Sequence, residues 1–129
     1  MDRSRTLRLA GAVLVLIGGA MHLKLNFDDY GNDDIIRAFA LNAAASAVVA
    51  AYLALRDDLL GPLAGIALSL GSLVAFGLSR RGDGLLDFRE VGWTNPAPEA
   101  VITLVAEGLA VVVLAFAALD ARRGSPLDG

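Results

Sequence analysis

Hydrophobic positions along the chain fall into four long blocks, each bounded by charges and nearly free of them inside. A helix rises about 1.5 Å per residue and the hydrocarbon core of a bilayer is about 30 Å thick, so roughly 20 apolar residues make a span. The first uncharged run lies between Arg8 and Lys24 and predicts a span over about 6–25, with both end cations snorkelling to the interfaces. The second lies between Arg37 and Arg56; Asp33 and Asp34 precede it as N-caps, which predicts a helix over about 35–55. The third, between Asp58 and Arg80, predicts a span over about 59–79 with Pro62 in its first turn. Asn95, Pro96, Pro98 and Glu99 form a helix start for the fourth, over about 98–119.

The blocks are continuous rather than alternating, and four strands cannot close a membrane barrel. The basic start and short apolar run of the first block also suit a signal peptide, but we take it as a span. The expected fold is therefore all-α: one integral membrane four-helix bundle, up-down-up-down, occupying 1–129. Arg56, Asp57 and Asp58 leave room only for a tight turn between the second and third helices. The third loop is the longest. Its Leu85, Leu86, Phe88 and Trp93 alternate with charges, which predicts a short amphipathic segment at the interface. Phe88, Arg89, Glu90 and Trp93 are candidates for a lid.

Composition sharpens this picture. Hydrophobic residues make up 56% of the 129 and charged residues 19%, whereas soluble domains run near 45–50% and about 25%. No cysteine is present, which removes disulfides, thiolate metal sites and cysteine nucleophiles. The single histidine, His22, excludes multi-histidine metal or haem sites. A net charge of −3 offers no basic surface to nucleic acid. Arg3, Arg5, Arg8, Arg56, Arg122 and Arg123 lie on the side of the termini, against Lys24, Arg37, Arg80, Arg81 and Arg89 on the other. The balance favours both termini in the cytoplasm.

In such a chain the polar residues inside the spans carry the functional signal. An ionisable group at the bilayer centre costs about 2.5–3.5 kcal/mol on insertion scales. Glu107 lies about 13 Å into its helix, and Asn42 reaches nearly the same depth. Ser69 and Ser72 approach that level from the opposite side, Thr103 is one turn from Glu107, and His22 sits in the last turn of its helix. His22, Asn42, Ser69, Thr103 and Glu107 thus outline an outward-opening polar pocket for a ligand, an ion or a proton. The same groups also suit plain hydrogen bonding that locks the bundle. Asp28, Asp29 and Asp33 are weak metal candidates, because oxygen ligands suit calcium or magnesium, but the spacing is not that of an EF-hand. They also suit a solvated loop.

Small residues mark packing stripes: Gly11 and Gly18, Ala43 and Ala47, Gly61 and Gly65, Gly71 and Ala75, and Gly108. These let thin helices approach one another, or form a homo-oligomer face. No P-loop, GxSxG or HExxH motif is present, so an enzyme has the least support and no cofactor is indicated.

His22 closing the first span, the stretch Phe39 to Asn42, the stretch Gly84 to Glu90 and the position of Glu107 together resemble the small four-span membrane proteins of high-GC Gram-positive bacteria, a group without an assigned reaction. There the loop stretch more often has Phe and Gly where this chain has Leu86 and Asp87. The resemblance implies a bacterial plasma membrane and four spans. Two functions follow as expectations: an accessory or scaffold subunit associating with itself or a larger membrane complex, or a ligand- or ion-binding protein built around Glu107.

Overall fold

The computed structural model describes residues 2–124. Four antiparallel helices account for most of them: α1 (Arg3–Phe27), α2 (Asp33–Leu55), α3 (Leu60–Leu78) and α4 (Glu99–Arg123). All four are long and apolar enough to cross a membrane. No β-strand occurs among the described residues.

Helix ends are set by caps rather than by the limits of the apolar blocks, so α1 and α4 run past the expected boundaries into charged sequence. Asp2 caps α1 by accepting the Arg5 N–H at 2.8 Å. Asn32, not Asp33 or Asp34, caps α2, accepting the Ile35 N–H at 3.0 Å. The two aspartates fall instead in the first turn, beside the positive end of the helix dipole. Asp58 orders the start of α3, accepting from the N–H groups of Leu60 and Gly61 and from the Tyr52 hydroxyl at 2.7 Å.

Ties at both ends define the bundle. At the end bearing the termini, Arg3 meets Asp120 at 3.1 Å. Arg8 does not snorkel. It is buried and donates to the Leu53 and Arg56 carbonyls at 2.9 and 2.8 Å, closing the C-terminus of α2. Four terminal carbonyls of any helix lack partners, and a guanidinium fork supplies several donors at once. At the opposite end Lys24 bridges Asp28 and Glu99 at 2.7 and 2.6 Å.

The core is narrow and sits toward the terminus-bearing end, with Ala12, Val15, Ala50, Leu53, Ala110, Leu114 and Ala117 at its centre. Helix α1 packs closely on α2 and α4, and α3 on α4. The α2–α3 pair is the loosest neighbouring contact. Leu114 explains the tight side: a Cβ added to Gly11 or to Gly65 would collide with its side chain. Likewise a Cβ on Gly61 would lie 3.1 Å from Leu53 and Tyr52. In lipid such close fits replace the hydrophobic effect as the force between helices.

The α3–α4 loop departs from the expected amphipathic segment. It is irregular, with a two-residue turn in which Leu85 and Phe88 exchange backbone hydrogen bonds of 2.8 Å each. Leu86 and Asp87 take positive φ of 49° and 61° to make it, the geometry of the tight hairpin turn. Gly84 must be glycine: its φ is 83°, and a Cβ would strike the Phe88 carbonyl.

Two outcomes are expected. Gly11→Ala and Gly65→Ala each destabilise the bundle by about 1–3 kcal/mol through overpacking, measured by unfolding in detergent, while Gly71→Ala, whose Cβ meets nothing within 4 Å, is neutral. The Tyr52 hydroxyl holds the Asp58 carboxyl below its usual value of 3.8. A carboxyl lowered in the folded state stabilises above that value and loses its contribution as pH falls through the folded one. Acid titration of Tyr52→Phe therefore shows a smaller loss of stability below pH 3.8 than the parent.

Candidate functional site

Where α2 and α3 part, a cavity of about 360 Å³ opens. The two helices are pinned together at their short turn by Tyr52, Leu53 and Gly61, and toward the other end the cavity lies between them. Phe39 and Asn42 of α2 and Leu68, Ser72 and Phe76 of α3 form opposing walls. His22 of α1 and Thr103 of α4 close the inner side, and Tyr30 and Phe88 stand at the loop end. Ala67 and Gly71 belong to the wall yet are exposed, so the cavity opens sideways between α2 and α3, where lipid chains would lie. The wall is overwhelmingly apolar, with a few convergent polar groups, as small-molecule sites are.

The polar groups form one connected path. The His22 ring stands edge-on to Phe39, with centroids 5.6 Å apart. Its Nδ1 lies 2.7 Å from the Gly18 carbonyl; a carbonyl only accepts, so Nδ1 carries a proton. Its Nε2 lies 3.2 Å from the Ser72 hydroxyl. Ser72 accepts from the Asn42 amide at 3.4 Å, and Asn42 accepts in turn from Ser46 at 3.2 Å. Behind this path Glu107, only 4% exposed, sits against Ser72 and against Gly18, where a Cβ would lie 3.2 Å from its Oε1. Glu107 Oε2 is buried without a hydrogen-bond partner.

Of the five residues expected to form the pocket, His22, Asn42 and Thr103 line it. Ser69 is buried outside the wall, and Glu107 lies one layer behind it. No hydrogen bond joins Thr103 to Glu107 among the described residues. The hub is Ser72, which sequence placed only at the right depth. Its importance lies in facing α1, α2 and α4 at once, which only packing determines. Tyr30, Phe76 and Arg80 also line the cavity. Their one sequence signal is that aromatic residues gather at the same end of the bundle.

The lid candidates divide. Phe88 lines the cavity and packs edge-on against Tyr30 at 5.4 Å. Trp93 stacks on the Phe76 ring at 5.7 Å, half exposed and outside the wall. Arg89 is exposed, and Glu90 anchors the loop through its N–H to the Ser79 carbonyl at 2.8 Å. Arg80 holds the loop down. Its guanidinium lies 3.6 Å over the Phe76 ring and donates to the Gly92 carbonyl at 3.1 Å and to the Asn95 carbonyl. Burial lowers its pKa from the usual arginine value, but arginine stays charged at neutral pH.

The acidic loop does not converge. Asp28 is engaged by Lys24, Asp33 lies in the first turn of α2, and no three His, Asp or Glu side chains are grouped to hold a metal among the described residues.

Comparison with known proteins yields no match: no family model, no curated protein and no solved structure corresponds to the chain.

Because Arg80 joins carbonyls of the loop to α3, Arg80→Gln is expected to speed hydrogen exchange across residues 84–95 while the four helices stay protected. Unchanged exchange in the loop would show that Arg80 does not hold it.

Proposed function

We propose that this protein binds a small amphiphile, with a largely apolar body and a hydrogen-bonding head, in the cavity between α2 and α3. The observation that carries this reading is the cavity's own make-up: an apolar wall in which His22, Asn42 and Ser72 are joined by hydrogen bonds, with the wall residue Tyr30 holding a buried hydroxyl that has no partner. Leaving a buried hydroxyl unpaired costs about 1–3 kcal/mol, so a small rotation of the Tyr30 ring that brings its hydroxyl to a ligand head group is favoured. Asn42, Ser72 and His22 supply further polar contacts within the same cavity. Quinone-like and lipid-like molecules fit this chemistry better than a bare cation, because the wall presents no carboxylate.

This reading is preferred to that of an accessory or scaffold subunit. Gly11, Gly18, Gly19, Gly61 and Gly65 all face side chains of their own bundle, which among the helical glycines leaves only Gly71, at the cavity opening, and Gly108 with nothing within 4 Å. We further propose a bacterial plasma membrane as the setting, with both termini cytoplasmic; the support is the resemblance to small actinobacterial-type membrane proteins and the arginines gathered near the termini.

Trp93 is the only tryptophan and packs against the wall residue Phe76 at 5.7 Å, so its fluorescence reports occupancy through that neighbour. In lipid nanodiscs, decyl-benzoquinone is expected to quench Trp93 saturably. Gly71→Leu, which puts a side chain into the lateral opening, weakens the apparent affinity about tenfold or more, roughly 1.4 kcal/mol. Linear quenching of equal strength in both proteins, the mark of simple partition into lipid, overturns the proposal.

A further inference from the structure

One backbone carbonyl sets the direction of every hydrogen bond across the cavity wall. The Gly18 carbonyl lies 2.7 Å from His22 Nδ1 and can only accept, so Nδ1 carries a proton. His22 takes part in none of the ion pairs among the described residues, and its ring is neutral, since an uncompensated charge inside a span is costly. A neutral ring protonated on Nδ1 has a bare Nε2, which must accept. Ser72, 3.2 Å away, therefore donates its one proton to His22. The Ser72 oxygen is left as an acceptor only, so the part of Asn42 that faces it at 3.4 Å is the amide nitrogen and not the carbonyl oxygen. The Asn42 oxygen then faces Ser46, which donates to it at 3.2 Å. Ser46 is buried beneath Gly19, where a Cβ would collide with it, so this end of the chain is closed. Donation runs from Ser46 to Asn42, Ser72, His22 and Gly18, and no member can turn without orphaning another.

One hydrogen is left over. An amide nitrogen carries two N–H groups; Asn42 gives one to Ser72, and the other meets no acceptor among the described residues. Asn42 belongs to the cavity wall. The wall residue Tyr30 holds another donor without a partner. Neighbouring donors are already taken by carbonyls of the protein itself: Ser79 by that of Phe76 at 2.7 Å, and Arg80 by those of Gly92 and Asn95. The surplus is thus in donors, which are rarely left unpaired in a folded interior, whereas a spare lone pair is better tolerated.

We propose that the cavity selects an amphiphile whose head is an uncharged carbonyl, that Asn42 is the donor that reads it, and that His22 is the positioning residue that fixes the turn of the Asn42 amide. This rests on the amphiphile reading above and narrows it. Ketone, quinone and ester heads accept from Asn42 without offering a proton of their own, whereas an ammonium head sets donor against donor. A carboxylate or phosphate head also accepts, but Asn42 lies about 13 Å along α2 from Asp33, where an anion is far from water and costly.

The full chain in lipid nanodiscs is titrated with two molecules that share an apolar body: decyl-benzoquinone, which carries carbonyls, and decylbenzene, which carries none. Quenching of Trp93 reports the quinone, and relief of that quenching reports decylbenzene. The quinone is expected to bind about tenfold more tightly or better. Labelling with ¹⁵N-asparagine and ¹⁵N-histidine adds readouts that packing alone does not move. The Asn42 side-chain amide, assigned as the NMR signal lost in Asn42→Leu, shifts one of its protons downfield with the quinone and neither with decylbenzene. In the protein without either molecule, the neutral ring of His22, the single histidine, carries its proton on Nδ1. Asn42→Leu and His22→Phe each lower the quinone to the affinity of decylbenzene, whose own affinity is kept, and circular dichroism confirms that both variants are helical. Equal affinities in the parent, an Asn42 amide that does not respond to the quinone, or a neutral ring protonated on Nε2 overturns the carbonyl assignment and leaves the amphiphile cavity standing. Absence of saturable binding by either molecule overturns both.

Discussion

Close approach at one end of the bundle governs everything at the other. Leu114 of α4 fills the gap left by Gly11 of α1 and Gly65 of α3, and Leu53 and Tyr52 do the same at Gly61. With water absent, contacts of this kind are the main source of cohesion between apolar helices. They draw the helices together where side chains are smallest. Toward the opposite end Phe39, Phe76, Tyr30 and Phe88 are too large for such an approach. Helices α2 and α3, joined by a short turn, therefore diverge, and the space between them is the cavity.

The ends are closed by charges that work locally. Arg8 closes α2, Lys24 ties α1 to α4, and Arg80 fastens the long loop beside the cavity. Exposed ion pairs contribute little to stability, about 0–1 kcal/mol each. Their value here is geometric. Each fixes the register of a helix end where the slippery apolar contacts below specify little. Arg8 is the exception in energy, since it is buried and its Nη1 donates to two carbonyls that would otherwise lack partners, while its Nε lies 3.3 Å from Asp57 without a hydrogen bond.

Inside the span the polar residues obey a stricter rule. His22, Asn42, Ser46 and Ser72 satisfy one another in a chain, and the orphan atoms, Tyr30 Oη and Glu107 Oε2, stand at its margins. With Arg8 Nε at the other end of the bundle, they are the buried side-chain polar atoms left without a hydrogen bond among the described residues. Such gaps in an otherwise satisfied interior are where a ligand or a proton finds a place.

The four helices, their antiparallel order and the tight α2–α3 turn are legible in the sequence, because the bilayer demands about 20 apolar residues per span and charges mark the limits. The depth of Glu107, Asn42 and Ser72 follows from the same counting, since the rise per residue is fixed. Counting does not give rotation. Whether a residue faces the cavity, the core or lipid depends on how each helix turns about its axis, and α4, which carries Glu107, offers little periodicity to settle it. So counting located Glu107 along α4 but not outside the cavity wall, and it treated Ser72 as one polar residue among several. The irregular loop escaped for a related reason: its turn depends on Gly84 and on Arg80 reaching the carbonyls of Gly92 and Asn95, contacts that no local pattern announces. Sequence alone determined which segments are long and apolar enough to cross a membrane and how far along its helix each polar group lies. Tertiary packing decided which of those groups meet, because the fit of Leu114 and Leu53 into their glycines sets the rotation and splay of every helix.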